Sequence, residues 1–519
     1  MGLNVASCLA SSAVRFAGQP AIICEDRSLT FAELERWSAS IAEVLLAQGM
    51  KPGDHVLLLA PNVPEFTAVY YAVLRVGGVV VPVNTLFLSQ EIAGLVQHSD
   101  SKFMFVWHTF AEKGTAAFEQ AETCRTLFFM GTDRQNIPPN LFSAESPRLL
   151  LDELIPEMSG TADYHQTSPD DTAVILYTSG TTGKSKGVEL SHFNLYSNAL
   201  YIKESPALDI KPGSVTFAVL PLFHTFGQTA IQNSSVTAGA TMVMLPQFEP
   251  RRTLSEMEKH RGTHIAAVPT MYNLMLQTQR RYKYDVSSLQ VAVSGGASLP
   301  VAIHQDFEKL FHVKINEGYG LSETSPIATM TPPRGGLNKA GSIGPEFYGS
   351  QVRIVRNDGT FADVDEVGEL VIRGHNVMKG YYKDPTTTAA VFLEGGWFRS
   401  GDIAKMDADG YFYIVDRAKD VIIRAGMNIY PREIEEILHH HPAVLEAAVV
   451  GIPDETLSEN VVAFVTLTPG AKVTAQELQR YCRERLAIYK CPKKVEFVDQ
   501  LPKNSTGKIM KRTLKEKQL

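Results

Sequence analysis

Short apolar segments alternate with amphipathic helical segments between residues 20 and 330 of this chain. Thr30 and Glu33 have the spacing of a capping box, which predicts the start of a helix, and the apolar strand His55–Leu59 follows it. Apolar strands that alternate with helices are typical of parallel sheets covered on both faces. The sequence therefore predicts an α/β fold with a mostly parallel sheet.

Three of the predicted strands run directly into glycine-rich segments. Strand 173–177 precedes TSGTTGKSKG (178–187), strand 291–293 precedes Ser-Gly-Gly (294–296), and strand 314–316 precedes Glu-Gly-Tyr-Gly (317–320). Ligands of α/β proteins bind beyond the carboxyl ends of strands. We therefore expect a ligand to bind at these strand ends.

The segment TSGTTGKSKG has the composition of a polyphosphate-binding loop. Its glycines let the backbone approach a ligand, its hydroxyls donate hydrogen bonds, and its lysine adds positive charge. Two residues separate Gly180 from Gly183, whereas the P-loop of phosphotransferases has four between its glycines, so the spacing argues against such an enzyme. The residues concerned are Thr178, Ser179, Gly180, Thr181, Thr182, Gly183 and Lys186.

The sequence pattern changes after residue 341. Short antiparallel strands with tight turns follow, including the Asp-Gly turn at 409–410, and a separate α/β pattern begins near residue 420. We expect an N-terminal domain over 1–415, a boundary segment over 416–420 and a C-terminal domain over 421–519.

Composition excludes several classes of protein. Lys and Arg total 49 against 56 Asp and Glu, a net charge of −7, which argues against a nucleic-acid partner. The five cysteines form no C-x-x-C pair, as expected of reduced thiols in the cytoplasm. The most apolar stretch, 68–83, is too short and too interrupted for an integral membrane segment. Peripheral membrane contact and a homodimer stay open.

Six motifs occur in the order in which one enzyme superfamily carries them: YTSGTTGKSKGV, LPLFHTFG, GYGLSETSP, GWFRSGD, DRAKDVIIRAGMNIYPREIE and PKNSTGKIMKR. Through these motifs nearly the whole chain resembles the acyl-adenylate-forming superfamily, which includes acyl-CoA synthetases, peptide-synthetase adenylation domains and beetle luciferases. One position departs from the pattern, since Ser185 stands where the family has proline. We expect this change to loosen the loop without removing Lys186.

The resemblance implies a fold and a two-step reaction. The implied fold has a large N-terminal AMP-binding domain of α/β subdomains with a small β-barrel-like subdomain, and a small mobile C-terminal α/β domain. A carboxylate attacks the α-phosphate of ATP, in the presence of Mg²⁺, to give an acyl-adenylate and pyrophosphate. The thiol of coenzyme A (CoA) then displaces AMP. The implied partners are therefore a small carboxylic acid, ATP and CoA.

The resemblance also assigns roles to individual residues. Lys508 is the lysine that bridges carboxylate and phosphate, a task suited to a point charge, and His224 is a gate between the acid and ATP. Thr178 and Glu323 lie at Mg²⁺, for which a carboxylate is a fitting ligand. Lys186 completes the catalytic set. The remaining implied contacts of ATP, the hinge and CoA are Gly295, Gly296, Ala297, Glu317, Gly318, Tyr319, Ser322, Asp402, Arg417, Lys419 and Gly426.

The substrate acid is predicted from two side chains, an Asp and a Trp, that the motifs of this chain lack. Amino-acid-activating relatives carry an Asp near LPLFHTFG, and acetate-specific relatives carry a Trp at the position of Gly320; this chain has neither. The sequence thus predicts an open apolar tunnel and an acid longer than acetate, namely a medium- to long-chain fatty acid. The tunnel residues expected are Phe223, Phe226, Val268, Met271, Tyr272, Leu321, Ile327 and Met330.

Three alternatives stay open beside a fatty-acid–CoA ligase. An aryl or alicyclic acid would fit the same tunnel. An acyl-carrier-protein ligase is disfavoured because no extra segment interrupts residues 341–416. A non-catalytic nucleotide-binding module would have lost part of the catalytic set, which is complete here.

Overall fold

The computed structural model describes residues 2–142, 147–179, 185–331, 339, 341–454, 456–504 and 508–516. Within these ranges the strands form four sheets, two of eight strands and two of five. The predicted α/β class is confirmed. The prediction of mostly parallel pairing is confirmed too, although the N-terminal part builds two large sheets, and each of them contains antiparallel pairs towards one or both ends.

The described strands are β1 (Pro20–Cys24), β2 (Arg27–Thr30), β3 (His55–Leu59), β4 (Val79–Pro82), β5 (Ser101–Trp107), β6 (Thr126–Met130), β7 (Arg148–Leu150), β8 (Thr172–Ser179), β9 (Ser185–Ser191), β10 (Val215–Ala218), β11 (Thr241–Met244), β12 (His264–Ala267), β13 (Val291–Ser294), β14 (Ile315–Gly320), β15 (Ile327–Met330), β16 (Ser350–Val355), β17 (Gly368–Gly374), β18 (Gly380–Tyr381), β19 (Phe392–Leu393), β20 (Trp397–Met406), β21 (Phe412–Arg417), β22 (Ile422–Arg424), β23 (Met427–Ile429), β24 (Val444–Asp454), β25 (Ser458–Leu467) and β26 (Lys494–Phe497).

The described α-helices are α1 (Ser7–Arg15), α2 (Phe31–Ala47), α3 (Pro64–Arg75), α4 (Ser89–His98), α5 (Ala111–Glu119), α6 (Leu151–Leu154), α7 (His192–Glu204), α8 (Ser234–Ala238), α9 (Pro250–Lys259), α10 (Pro269–Tyr282), α11 (Val301–Phe311), α12 (Pro385–Ala390), α13 (Pro431–His439), α14 (Ala475–Arg483) and α15 (Lys511–Glu516). A π-helix spans Phe226–Asn233. None of the helices in the described ranges has both the length and the apolar composition that crossing a bilayer requires.

The two large sheets place their strands out of chain order. The first runs β15-β14-β13-β12-β10-β11-β1-β2, and the second runs β18-β9-β8-β4-β3-β5-β6-β7. Crossovers of this kind bring the carboxyl ends of distant strands to one edge. The ends of β8, β13 and β14, from both sheets, therefore face one cleft.

Helix α3 lies at the centre of the N-terminal core. All of its residues are buried, and the surrounding hydrophobic cluster takes side chains from both large sheets. Its two charged residues are paired, since Glu65 lies 2.6 Å from Arg27 and Arg75 lies 2.8 Å from Glu35. Such pairing offsets the cost of burying a charge. The predicted capping box is also confirmed, because Thr30 Oγ1 accepts the Glu33 N–H at the start of α2.

The two smaller sheets lie later in the chain. Strands β16, β17, β20, β19 and β21 form an antiparallel sheet, which matches the predicted small β subdomain. Strands β22 to β26 form the last sheet, and α13 and α14 contribute to its core. Four residues, 418–421, join the two sheets. The division into 1–415, 416–420 and 421–519 stays a prediction with which this short connection agrees.

Candidate active site

A cleft of about 1410 Å³ lies between the N-terminal sheets and the C-terminal helices. Its wall includes β13 and β14 on one side, β20 and β21 on another, and α13 and the C-terminal tail on the third. Residues that the sequence placed in separate motifs meet there. The predicted site residues in the wall are Lys186, Gly296, Ala297, Glu317, Gly318, Tyr319, Asp402, Arg417, Lys419 and Lys508.

Asp402 is fixed from two directions inside this cleft. Its Oδ2 accepts a 2.6 Å hydrogen bond from the Tyr319 hydroxyl, and its Oδ1 lies 3.3 Å from Arg417 Nε. Asp402 and Arg417 are directly opposite each other in the β20–β21 pair, so the sheet register sets their approach. Asp402 is almost completely buried. The carboxylate is therefore held at one orientation beside the Tyr319 ring.

Lys508 reaches the same cleft from the C-terminal tail. Its N–H donates to Asn504 Oδ1 (2.9 Å), and the Asn504 N–H donates to the Lys508 carbonyl (2.9 Å), so these two residues are held side by side. Ion pairs anchor the chain before Asn504 and after Lys508 to the C-terminal domain. They join Lys503 to Glu446 (2.7 Å) and Lys511 to Glu435 (2.7 Å).

The surroundings of Lys508 disfavour its charged form. Burial, followed by the positive charge of Arg417, lowers the pKa of Lys508 to about 7, against the opposing effect of Asp402. His224 is affected too, since burial and then the charge of Lys508 lower the pKa of His224 to about 4. A change in the protonation of Lys508 near neutral pH would therefore alter the charge of the cleft, whereas His224 stays neutral.

Glu323 contacts Tyr381, a residue of the cleft wall that the sequence analysis missed. The Tyr381 hydroxyl donates to Glu323 Oε1 (2.9 Å), and the Lys186 ammonium lies 5.0 Å from the centroid of the Tyr381 ring. Burial raises the pKa of Glu323, and the charges of Arg417 and Lys186 oppose this. No sequence motif marked Tyr381, because its place depends on the pairing of β18 with β9.

The donors near Glu323 suit Mg²⁺ carried by a nucleotide. Within the described ranges, no group of three or more His, Cys, Asp or Glu side chains could hold a metal ion. Mg²⁺ is usually bound by one or two carboxylates together with substrate phosphates, and Glu323 provides one carboxylate. Thr178, at the end of β8, is opposite Lys186 in β9. The residues present therefore fit this metal.

The glycine-rich segment differs from its predicted form. Thr178 and Ser179 end β8, and Ser185 and Lys186 begin β9, which pairs antiparallel with β8, so both described ends of the segment belong to strands. Gly180, Thr181, Thr182 and Gly183 lie outside the described residues, as does the side chain of Ser179. The effect expected of Ser185 on this loop stays a prediction.

Four other predicted residues are not among those that line the cleft. Gly426 is in the exposed turn between β22 and β23. Ser322 is buried, and a Cβ added at Gly295 would lie 3.1 Å from the Gly318 carbonyl oxygen. His224 lies in the segment before the π-helix, half-buried. For these four residues the predicted contacts with ligands stay predictions.

Asn62 positions the segment that carries His224. Its side-chain amide donates to the carbonyls of Ala218 and Leu220 (both 2.9 Å), and its Oδ1 accepts the Leu222 N–H (2.9 Å). Asn62 is buried and follows β3, so it ties the second large sheet to a segment of the first. Sequence reasoning missed this residue because its partners lie about 160 positions away.

A second, apolar cavity of about 30 Å³ lies beyond the cleft. The Phe226 ring lies on the side of this cavity nearer the cleft, since a Cβ added at Gly295, the neighbour of the cleft residue Gly296, would lie 3.0 Å from Phe226 Cε1. Other walls come from the π-helix and from β12, β13 and β15. The lining residues used below are Ala230, Ile231, Val293, Ile327, Met330 and the buried polar residues Thr216 and His264.

The predicted tunnel residues lie in several places, and their contact with an acid stays a prediction. Phe226, Ile327 and Met330 line the small cavity, whereas Val268 lines the large cleft. Tyr272 was wrongly placed, because it is fully buried and its hydroxyl donates to the Val293 carbonyl (2.8 Å). Phe223, Met271 and Leu321 are partly buried and pack against the largest core cluster.

The structure gives a reason for glycine at position 320 that differs from the one the sequence suggested. A Cβ at this position would lie 1.6 Å from the Pro326 carbonyl oxygen. Glycine is therefore required by the backbone, and no tryptophan fits without moving it. The absence of that side chain does not show that the tunnel is open.

Comparisons with known proteins agree with this arrangement. Residues 9–382 match the family described as AMP-binding enzyme, and residues 433–508 match the AMP-binding enzyme C-terminal domain. The long-chain-fatty-acid–CoA ligase of Bacillus subtilis (strain 168) is 36% identical over 529 residues, 99% of this chain and 94% of that protein. Feruloyl-CoA synthase of Amycolatopsis sp is 34% identical over 493 residues, 93% of each chain.

A solved structure extends the likeness to three dimensions. The ATP-bound MatB from Rhodopseudomonas palustris is 31% identical, with a TM-score of 0.89 over 100% of this chain and 99% of that one. The structural similarity therefore extends over the elements on both sides of the large cleft.

Proposed function

Because the chain belongs to the AMP-binding enzymes and is an AMP-forming acyl-CoA ligase, we propose that it activates a medium- to long-chain fatty acid. ATP would convert the acid to an acyl-adenylate, and CoA would then accept the acyl group. The main support for the proposal is that one cleft is lined by Lys508, Tyr319, Asp402 and Arg417. The residues of the large cleft support adenylate chemistry, and those of the small cavity support an apolar acid.

Each residue of the large cleft has a defined task in this proposal. The Tyr319 ring offers a flat apolar contact for adenine, and Asp402, oriented by Tyr319 and Arg417, accepts hydrogen bonds from the ribose hydroxyls. Lys508 holds the attacking carboxylate against the α-phosphate, where its charge offsets the negative charge of both groups. Mg²⁺, when bound with the nucleotide, neutralises phosphate charge, and Glu323 and Thr178 would hold it.

The pKa of Lys508 predicts a pH dependence. The ammonium form is required, and with a pKa of about 7 it is lost as pH rises. We expect kcat/KM for ATP–pyrophosphate exchange, which reports the free enzyme, to fall about tenfold per pH unit above pH 8. His224, with a pKa of about 4, contributes nothing in this range.

The variant Lys508→Arg tests the assignment of this titration, because a guanidinium stays charged at every pH used. We expect a lower but flat kcat/KM profile between pH 7 and 9. If the alkaline loss of activity persists in this variant, another group causes it.

An apolar acid is supported by the walls of the small cavity. Its lining is apolar apart from Thr216 and His264, and both are already hydrogen-bonded, to Ser235 Oγ (2.8 Å) and to the Leu208 carbonyl (2.6 Å). A polar acyl end entering here would lose its water without gaining a free partner. The lining of the small cavity therefore favours an acid whose acyl end is a hydrocarbon.

An assay with a series of acids tests this proposal. With acetate, hexanoate, decanoate and palmitate, we expect kcat/KM for acyl-CoA formation to rise with chain length, by about fourfold per buried methylene at ~0.8 kcal/mol each. The increase in kcat/KM should stop at the length beyond which further methylenes of the acid stay outside the protein. If acetate is the best substrate, the fatty-acid proposal is wrong.

The size of the cavity supports a second candidate, a compact aryl or alicyclic acid. One water needs about 10–15 Å³ of such space, so 30 Å³ holds little more than a methyl group or two. A long chain must displace Phe226 and the flexible Met330, whereas a ring enters less deeply. Benzoate and cyclohexanecarboxylate belong in the same assay, and a preference for either over decanoate would favour this candidate.

The variant Ala230→Leu should lower activity with long acids more than with short ones. Ala230 is on the π-helix and lines the small cavity, so a leucine there fills it. Losing room for two methylenes, about 1.6 kcal/mol, should lower kcat/KM for decanoate about 15-fold and leave acetate within threefold. Ala47→Leu, which adds the same volume at the exposed end of α2, is the matched control. An equal loss for all acids would show that the cavity does not receive the acyl chain.

A further inference from the structure

Tyr381 contacts two groups of the candidate site that come from different parts of the fold. Its hydroxyl donates to Glu323 Oε1 (2.9 Å), and its ring lies under the Lys186 ammonium at 5.0 Å. Glu323 follows β14 of the first sheet, and Lys186 is in β9 of the second. We propose that Tyr381 is a positioning residue, which fixes the Glu323 carboxylate and Lys186 relative to each other for the binding of Mg²⁺–nucleotide.

The backbone around Tyr381 is rigid enough for this task. Tyr381 pairs with Val188 of β9, and its N–H donates to Thr388 Oγ1 (2.8 Å). Three residues earlier, the Met378 N–H donates to the Glu323 carbonyl (2.9 Å). One short segment therefore holds both the backbone and the carboxylate of Glu323, and the phenol ring itself is nearly buried.

The chemistry of the contacts fits an ion-binding role. A phenol that donates to one carboxylate oxygen fixes the rotamer and leaves the other oxygen for a ligand. Burial raises the pKa of Tyr381, so its hydroxyl stays a donor at every pH of interest. An ammonium over an aromatic face is attracted by the ring, which limits the movement of Lys186. The inference rests on the proposed function, because it assigns Mg²⁺ to Glu323.

Binding of the non-hydrolysable analogue α,β-methylene-ATP, measured by calorimetry with EDTA and with 0.1–20 mM Mg²⁺, tests the hydroxyl. For Tyr381→Phe we expect affinity within twofold of wild type in EDTA. With Mg²⁺ the variant should bind about tenfold more weakly than wild type and need more Mg²⁺ for half-saturation. An equal weakening in both buffers would mark a purely structural role, and unchanged binding would also overturn the proposal.

Tyr382→Phe is the matched control. Tyr382 is the next residue, and its hydroxyl also donates to a carboxylate, that of Asp100 (2.9 Å), which is not part of the candidate site. We expect its Mg²⁺ dependence to equal that of wild type. A shift equal to that of Tyr381→Phe would show that any disturbance of this segment has the same effect.

Tyr381→Leu tests the ring separately, in protein shown to be folded by circular dichroism. Since Lys186 loses its aromatic contact, we expect weaker binding of the analogue even in EDTA, by about three- to tenfold. If Tyr381→Leu binds the analogue in EDTA as tightly as Tyr381→Phe does, the ring does not position Lys186.

The wild type separates failure of the inference from failure of the proposed function. If Mg²⁺ has no effect on binding of the analogue to the wild type, the assignment of Mg²⁺ to Glu323 in the proposed function is wrong. If Mg²⁺ strengthens binding to the wild type and to Tyr381→Phe equally, only the inference is refuted.

Discussion

Lys508→Ala is expected to lower acyl-adenylate formation by about 10²- to 10³-fold, roughly 3–4 kcal/mol of transition-state stabilisation, while thioester formation changes by less than about threefold. The charge is removed from a partly desolvated cleft, where it acts strongly on the attacking carboxylate and the phosphate. The position of the chain should persist in the variant, because the ion pairs of Lys503 and Lys511 hold it on both sides of residue 508. ATP–pyrophosphate exchange with decanoate measures the first step, and CoA added to synthetic decanoyl-adenylate measures the second.

Lys472→Ala is the control for this experiment. Lys472 is an exposed residue of the C-terminal domain outside the cleft, so its replacement changes the net charge equally. We expect both steps to stay at wild-type rates. An equal loss of both steps in Lys508→Ala would instead show that Lys508 is structural, and an unchanged first step would remove it from the catalytic set.

Elements with strong local signals were predicted almost to the residue. The strand His55–Leu59 has the predicted bounds, and the capping box at Thr30 starts its helix as expected. Caps and apolar periodicity act within a few residues, which is why the sequence reveals them. The division into two large sheets was missed, because it depends on pairings such as β4 with β8, which only tertiary packing decides.

Residues of the candidate site were predictable where a motif ends a strand. Tyr319, Asp402 and Arg417 meet in the cleft because strand ends and sheet register place them there. Tyr381 was not predictable, since a tyrosine after glycine carries no signal of its own. Gly320 shows the opposite error. Its small size was taken as space for substrate, but the close approach of the Pro326 carbonyl explains it.

The C-terminal domain must turn if both steps use one cleft. Lys508 lines the cleft here, whereas Gly426, the residue expected beside CoA, lies in an exposed turn away from it. The connection between the last two sheets is short, and Lys419 is exposed within it. A hinge absorbs its change in φ and ψ at one or two such residues. We therefore propose Lys419 as the hinge and the present arrangement as the one for adenylate formation.

Lys419→Pro is expected to abolish most thioester formation, by about 10²-fold or more, because proline holds φ near −65° and opposes the second arrangement. The Asp420 and Val421 N–H groups both donate to the Arg417 carbonyl (2.9 and 3.2 Å), a helical turn with which this φ agrees. Proline also disfavours that turn at Ala418, so we expect adenylate formation to fall as well, by no more than about tenfold. Single-turnover kinetics of each step on folded protein measures both effects.

Lys419→Ala separates the backbone effect from the loss of the side chain. Alanine leaves φ free and removes a side chain that lines the cleft but is exposed to solvent, so we expect both steps to stay within about twofold of wild type. If this variant loses thioester formation as well, the ammonium and not the backbone is what the second step needs. Normal thioester formation in Lys419→Pro would place the hinge elsewhere, since a domain that still turns cannot depend on φ at this residue.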